Sequence, residues 1–198
     1  TFVGSGWNLW GAPMVPYDNQ MDENVGDDID GYWYSYGFAD NGYTFDSTLA
    51  LSHGYWLGIL EDADVDILGT PLDHPHTEPL SLGWNLVSNP LVLYVVVDSL
   101  VYTKDNESKV YADAVIDRWV NTIYGHDSLG YSLSDVIKPW SGYWMSVLDT
   151  GITVTYPIHQ SVSGGENRRT RDESSWMISF EATVEGAVDR TAIIGVAA

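Results

Sequence analysis

The sequence predicts an all-β fold in which two tandem copies of a small antiparallel unit, sandwich or barrel-like, precede a C-terminal β segment. The first observation is composition, since 19 Gly, 13 Tyr and 9 Trp occur among 198 residues. Strands favour aromatic residues and turns favour glycine. The second observation is an internal repeat, which indicates that the unit is a module.

The repeat is carried by two short motifs that return in the same order. Gly-Trp-Asn-Leu occurs at 6–9 and at 83–86, each time with a proline four residues after it. Gly-Tyr-Trp occurs at 54–56 and at 142–144. The offset is 77 residues for the first motif and 88 for the second, so the second copy contains an insertion of about ten residues after its opening strand.

Between the motifs, Trp33 is matched with Trp119, and Gly42-Tyr43 is matched with Gly130-Tyr131. These anchors define five segments along the chain. They are copy one at 1–72, a joint at 73–79, copy two at 80–160, a flexible Ser/Gly/Arg-rich linker at 161–175 and a further β domain or docking strand at 176–198.

Each copy has the pattern of short strands and tight turns. In copy one, strands are predicted at 7–10, 32–38, 43–45, 55–60 and 65–68, with the sequence Asp-Asn-Gly at 40–42 as a hairpin turn. Copy two repeats this plan, with a turn at 127–130 and a last strand at 152–156. A helix at 107–120 is the alternative for the insertion, but its apolar stripe is poor, and 116–120 fits a strand better by analogy with copy one. The proline-punctuated joint is expected to be irregular.

The net charge of −20 and the absence of cysteine restrict the class of protein. Nucleic acid and anionic membranes are not expected partners, because the surface carries the wrong sign. No apolar run is long enough to cross a bilayer, so no membrane insertion is expected. The acidic surface suits either simple solvation in a salty exterior or divalent cations. Disulfides and thiolate metal sites are excluded.

Exposed Trp and Tyr side chains can stack on sugar rings, which makes carbohydrate a candidate ligand. Aromatic residues that recur in both copies are expected to be scaffold, such as Trp7 with Trp84 and Trp56 with Trp144. The better candidates for ligand binding occur in one copy only: Trp10, Tyr34, Tyr36 and Trp140. An edge-strand or domain-contact role for these residues remains open.

The acidic segment 22–31 is a candidate Ca²⁺ loop, since Ca²⁺ takes six to eight oxygen ligands from a flexible segment. Its candidate ligands are Asp22, Asn24, Asp27, Asp28 and Asp30. The spacing differs from that of an EF-hand. His74 and His76 could form half of a zinc site, but a coincidental pair is the preferred interpretation. No cofactor is required by any motif.

No catalytic motif is present, and the sequence predicts a protein that is not an enzyme. The C-terminal segment is too short to bury a core alone, so it needs a partner sheet. Its candidate assembly contacts are Trp176, Ile178, Phe180, Ile193 and Ile194. The partner would be another domain of the same chain or a neighbouring copy, by strand addition.

The two motifs, in this order, resemble a repeat found in large secreted multidomain proteins of Bacteroidetes-type bacteria that use the type-nine secretion route. The resemblance implies a non-catalytic structural or surface-interaction module, secreted or at the cell surface, and it carries no catalytic residues. The alternative is a carbohydrate-binding accessory module. Both remain expectations from the sequence.

Overall fold

A computed structural model describes residues 1–39, 42–158, 176–184 and 187–196, the last two ranges by their backbone alone. Antiparallel strands dominate these residues, which confirms the all-β prediction. The chain forms two compact units, Thr1–Val162 and Ser163–Ala198. The predicted linker at 161–175 lies outside the described residues.

Copy one forms a four-stranded antiparallel sheet with the order β2-β6-β4-β5, flanked by two short strand pairs, β1 with β7 and β3 with β8. The strands are β1 (Phe2–Val3), β2 (Gly6–Trp10), β3 (Val15–Pro16), β4 (Trp33–Ala39), β5 (Gly42–Phe45), β6 (Tyr55–Ile59), β7 (Ala63–Asp64) and β8 (Gly69–Thr70). The strand predicted at 65–68 is wrong. Val65 and Leu68 instead make isolated backbone hydrogen bonds with Thr1 and Tyr17.

Copy two forms a sheet with the equivalent order β10-β17-β14-β15 and adds a second sheet, β13-β12-β18-β9. The strands are β9 (His76–Leu80), β10 (Gly83–Ser88), β11 (Val95–Val96), β12 (Val101–Lys104), β13 (Glu107–Val110), β14 (Val120–Asp127), β15 (Gly130–Leu133), β16 (Val136–Ile137), β17 (Gly142–Val147) and β18 (Ile152–Tyr156). The pair β11 with β16 completes this copy. Each of these sheets is open among the described residues.

Two local predictions in copy two need correction. The joint is not irregular, because β9 begins inside it and pairs with β18. Pro79 is tolerated there since β9 is an edge strand, where a missing N–H is not needed for a second neighbour. The insertion contains β12, β13 and a short helix, α1 (Tyr111–Ile116). The strand predicted at 116–120 is therefore wrong, since the next strand starts only at Val120, and the helix that was the alternative forms over part of its predicted range.

The two main sheets share their register as well as their strand order. Tyr36 pairs with Trp56 in copy one, as Tyr124 pairs with Trp144 in copy two. The strands β4 and β5, and β14 and β15, pair as predicted, with Ala39 opposite Gly42 and Asp127 opposite Gly130. The match of Trp33 with Trp119 is wrong by one residue. Because β14 contains a bulge, the residue of copy two that pairs as Trp33 does in copy one is Val120.

Each main sheet is covered on both faces. One face packs on the core of its own copy, which in copy one includes Trp10, Tyr55 and Leu57. The opposite faces of the two sheets meet in a third cluster around Leu9, Leu86 and Trp144. These second faces, which carry the repeated tryptophans, are covered only in part, because Trp7 and Trp84 remain exposed.

The second unit contains two paired antiparallel strands, β19 (Trp176–Val184) and β20 (Ala187–Val196). The predicted C-terminal β segment is therefore a hairpin whose strands pair with each other. Ile178 is opposite Ile194, and Ser179 is opposite Ile193. The prediction that side chains of this segment make assembly contacts lies outside the described part of the structure, which gives only the backbone here.

Candidate functional site

The Gly-Trp-Asn motif builds the same turn before the first long strand of each copy. Gly6 and Gly83 have φ values of +103° and +98°, in the region that favours glycine. The Nδ2 of the motif asparagine donates to the carbonyl four residues earlier, at 2.7 Å in both copies. This turn presents Trp7 and Trp84 on the face opposite each core.

The Gly-Tyr-Trp motif fixes the neighbouring strand. The hydroxyls of Tyr55 and Tyr143 each accept a hydrogen bond of 2.8 Å from the backbone N–H five residues earlier. Side chains alternate between the two faces of a strand. The buried tyrosine therefore places Trp56 or Trp144 on the same face as Trp7 or Trp84.

The two copies pack through these faces with approximate twofold symmetry. The ring of Phe38 meets Trp144 edge-on, with centroids 4.8 Å apart, and His126, at the equivalent position of copy two, meets Trp56 at 4.9 Å. The backbone bridge between Trp10 and Ser141 has its equivalent between Val87 and His53. The interface is thus isologous, with the same surface used on both copies.

Small residues allow this close approach. A Cβ on Gly54 would lie 2.6 Å from the carbonyl oxygen of Val87, and one on Gly142 would lie 3.0 Å from Cγ of Leu9. Both glycines belong to the repeated Gly-Tyr-Trp motif. Their recurrence is explained by the contact between the copies.

Two open aromatic grooves flank this interface and are related by the same symmetry. The first, here called the Trp84 groove, has a volume of about 430 Å³ and is lined by Phe38, Tyr43, Trp84, Tyr124, Tyr131 and Trp144. The second, the Trp7 groove, has a volume of about 440 Å³ and is lined by Trp7, Tyr36, Tyr43, Trp56 and His126. Tyr43 lines both grooves.

The tryptophans in these grooves keep accessible ring surface. Trp7 is 54% exposed and Trp84 is 44% exposed. Each packs against a tyrosine of its own sheet with the same geometry: Trp7 and Tyr36 have centroids 5.9 Å apart, Trp84 and Tyr124 6.0 Å, and both pairs are inclined by 52°. Such rings are held in place by aromatic neighbours, which for Trp84 include Trp144 at 6.4 Å, and their exposed surface remains available to a ligand.

Each groove continues into a cleft through its tryptophan. Trp84 and Phe38 also line the Glu78 cleft, about 410 Å³, whose polar wall contains Asp46, His53 and Glu78. Trp7 also lines the Trp140 cleft, about 740 Å³, on the other side of the interface.

A partly buried hydrogen-bond network lies behind the polar wall of the Glu78 cleft. The hydroxyl of Ser52 donates to Oε2 of Glu78 at 2.9 Å and lies 2.9 Å from Nε2 of His76. His76 Nε2 is 3.2 Å from the same carboxylate oxygen, and His53 Nε2 is 3.7 Å from Oε1. Serine and glutamate contact the same imidazole nitrogen, which is not the arrangement of a catalytic triad.

The network holds Glu78 as a carboxylate. Burial alone would raise the pKa of Glu78, but contacts with His53, His76 and Ser52 outweigh burial and lower the pKa to about 2. The interaction with Glu78 raises the pKa of His53 against the opposing effect of burial, with a smaller contribution from Asp46. The cleft therefore presents fixed hydrogen-bond acceptors at neutral pH.

The structure separates the four predicted ligand-binding residues. Trp10 is 2% exposed and belongs to the core of copy one, so its assignment as a ligand contact needs correction. Trp140 is half-buried and packs on Trp10 with ring centroids 6.2 Å apart. Tyr36 lines the Trp7 groove, and Tyr34 is exposed outside both grooves. Tyr36 is also not unique to copy one, since Tyr124 is its equivalent.

Two of the predicted Ca²⁺ ligands, Asn24 and Asp28, instead make hydrogen bonds within the fold. Residues Asp22–Gly26 form a π-helical turn, and Asn24 is buried with its amide donating to the carbonyls of Asp18 and Gln20 at 2.7 Å. Asp28 accepts a hydrogen bond from the backbone of Asp66. The remaining candidates, Asp22, Asp27 and Asp30, are not brought together with them: among the described residues, no group of three His, Cys, Asp or Glu side chains could hold a metal ion.

Reasoning from the sequence missed the residues that form the grooves, chiefly Trp7, Trp84, Tyr43 and Tyr131. The repeated tryptophans were interpreted as scaffold because they recur. The signal that could have found them is strand alternation, since Trp10 and Trp7 lie on opposite faces of β2. When Trp10 faces the core, Trp7 must face away from it.

Comparison of the chain with protein-family models, with curated proteins and with solved structures finds no match in any of the three. Along the described stretches, no helix combines the length and apolar character needed to span a membrane.

Proposed function

We propose that this chain is a non-catalytic extracellular module of a larger secreted bacterial protein, and that its two aromatic grooves bind a carbohydrate chain. The supporting observation is the paired exposure of Trp7 and Trp84 in open grooves of equal size. Sugar rings have apolar faces that stack on aromatic rings, while the hydroxyls at their edges need polar partners. The clefts next to the grooves supply such partners.

Two further features support a carbohydrate ligand. Trp7 and Trp84 are held by ring contacts with Tyr36 and Tyr124 of their own sheets, so little side-chain freedom is lost on binding. The net charge of −20 disfavours acidic polysaccharides by repulsion. The proposed ligand is therefore an uncharged glycan.

Affinity electrophoresis of the full chain tests this proposal. Native gels would contain a soluble β-glucan, xylan, galactomannan or starch, with alginate as the acidic comparison, each with and without Ca²⁺. We expect retardation by at least one uncharged polysaccharide and none by alginate. Removing both exposed rings, Trp7→Ala with Trp84→Ala, should weaken binding by roughly tenfold or more.

The matched control is Tyr32→Ala, which removes an exposed aromatic side chain outside both grooves. It should retain the wild-type mobility shift. Absence of retardation by every uncharged polysaccharide would reject the carbohydrate proposal. Retention of binding by the double tryptophan variant would reject the grooves as its site.

A second candidate, a protein-assembly module, is favoured by the outer strands of the two sheets. β5 and β15 are edge strands of their sheets, and each carries an exposed apolar residue, Phe45 in β5 and Leu133 in β15. Such edges can accept an added strand from a neighbour. Sedimentation of the full chain, the Phe45→Lys/Leu133→Lys variant and a chain lacking 176–198 tests this candidate. A strictly monomeric wild type would reject it.

A further inference from the structure

The two copies differ at the positions that line their clefts. Ser52 and Trp140 occupy equivalent turn positions, with φ values of +58° and +65°. The next residues, His53 and Ser141, form the symmetric backbone bridges described above. Asp46 likewise corresponds to Ser134, because each donates its backbone N–H to the equivalent residue of the neighbouring strand.

The scaffold therefore does not require the polar groups of the Glu78 cleft. The equivalent backbone forms in copy two with serine in place of Asp46 and of His53. The Ser52–His76–Glu78 network also has no equivalent there, since Trp140 takes the position of Ser52 and packs into the core of copy one. The turn therefore forms without this network in copy two, which favours a ligand-binding role for the network in copy one.

The Trp140 cleft has titratable residues of its own, which are partly engaged, as Asp46 of the Glu78 cleft is by the backbone and hydroxyl of Thr48 at 3.0 and 2.8 Å. Asp127 accepts a hydrogen bond from the backbone N–H of Leu129 at 2.8 Å. The His126 ring is packed between Trp56 and Tyr131, with centroids 4.9 and 5.0 Å away. By contrast, Oε1 of Glu78 has a single contact at 3.7 Å, with His53, and borders the open cleft.

We infer that the Trp84 groove and the Glu78 cleft form one continuous binding site for an uncharged, hydroxyl-rich sugar, and that this site determines specificity. This inference rests on the proposed function. One sugar ring stacks on Trp84, which lines both cavities, and the next places its hydroxyls against Glu78, His53 and Asp46. The cleft beside the Trp7 groove has no counterpart of the Glu78–His53 pair among its lining residues, so this groove is the weaker subsite.

The combined site has the dimensions of a short oligosaccharide rather than a single sugar. The groove and the cleft have volumes of about 430 and 410 Å³. The carboxylate of Glu78 accepts hydrogen bonds from sugar hydroxyls, and His53 can donate one. The ligand class is thus a neutral glycan with free hydroxyls on the face that enters the cleft.

Copy two supplies substitutions that should leave the fold intact. His53→Ser and Asp46→Ser each install the residue found at the equivalent position, and Trp84→Ala has its symmetric counterpart in Trp7→Ala. Calorimetric titration of each full-length variant with cello-, xylo-, manno- and maltohexaose gives the affinities. Melting temperatures of all four variants show whether each is folded.

We expect Trp84→Ala to lower affinity roughly tenfold or more and Trp7→Ala by less than about threefold. His53→Ser should lower affinity roughly fivefold, and Asp46→Ser gives an independent measurement if His53→Ser does not fold. Equal losses for the two tryptophan variants, with wild-type affinity in the serine variants, would overturn the inference and leave the proposed function standing. Failure of the wild type to bind any hexasaccharide would overturn both.

Discussion

Copy one and copy two share a frame but differ in the chemistry of their clefts. The strand order, the asparagine-locked turn, the tyrosine hydrogen bond and the edge-on ring contacts occur in both copies. The differences are concentrated in a second sheet in copy two and in the polar wall next to copy one. Recurrence in this protein marks the frame and the grooves, whereas divergence marks the site that we propose to be specific.

The symmetry explains why the short motifs are sufficient to define the unit. One face of each sheet packs on its own core, and the other face packs on the other copy, so neither copy buries both of its faces alone. The glycine and tryptophan of the Gly-Tyr-Trp motif and the leucine of the Gly-Trp-Asn-Leu motif lie at this contact. The motifs therefore encode an internal dimer.

The largest expected effect comes from the interface tryptophans. Trp144 is 8% exposed and contacts Phe38 and Tyr43, whereas its equivalent Trp56 is only half-buried. Trp144→Ala should lower the free energy of unfolding by about 3–5 kcal/mol, and Trp56→Ala by less, because less apolar surface is removed from packing. Urea unfolding of both variants measures the difference. Equal losses would contradict the asymmetry in burial.

A smaller effect, equal in the two copies, is expected at the repeated turns. Gly6→Ala and Gly83→Ala force an alanine into a positive-φ conformation, which should cost about 1–2 kcal/mol in each case. Gly4→Ala is the matched control, since a Cβ there meets its nearest neighbour at 3.9 Å. A loss in one copy alone would show that the two turns are not equivalent.

The smallest effect concerns pH. Glu78, with its pKa lowered from 4.5 to about 2, stabilises the fold above about pH 4.5 and loses this contribution as the pH falls toward 2. His53, whose pKa is raised from 6.5, contributes fully below pH 6.5 and loses its contribution as the pH rises through its folded pKa. The charged and titratable groups around it are Glu78, Asp46 and the nearby His76.

The difference in melting temperature between the wild type and His53→Ser should therefore be greatest between about pH 4.5 and 6.5, and it should shrink as the pH rises through the raised folded pKa of His53. The effect is modest because His53 is about half exposed. A difference that does not change with pH would mean that the ion pair between His53 and Glu78 does not contribute to stability.

The fold class and the hairpins could be predicted from the sequence because their signals are local. The turn sequence Asp40-Asn41-Gly42 and the alternation of β4 are sufficient to bring Ala39 opposite Gly42. The analogy with copy one predicts a strand at 116–120 and so misses the short helix α1, because an insertion has no counterpart in the other copy. The π-helical turn at Asp22–Gly26 depends on the burial of Asn24 and Val25, which no local pattern specifies.

The grooves could not be predicted because they depend on how two distant sheets meet. Alternation places Trp7 and Trp10 on opposite faces of β2, but it does not say which face a second sheet will cover. The contact of Phe38 with Trp144 joins residues 106 positions apart in the chain. The Ser52–His76–Glu78 network similarly requires β9, a strand in a segment that its prolines had indicated to be irregular.

The central claim is that Trp7 and Trp84 contact a carbohydrate while Trp10, which lies in the core of copy one, does not. The indole N–H resonances of the nine tryptophans, followed by NMR during titration with cello-, xylo-, manno- or maltohexaose, test it directly. We expect saturable shifts at Trp84, and weaker ones at Trp7, with one or more of these sugars, while Trp10 remains unperturbed. Shifts confined to other tryptophans, or no shift with any of the sugars, would contradict it.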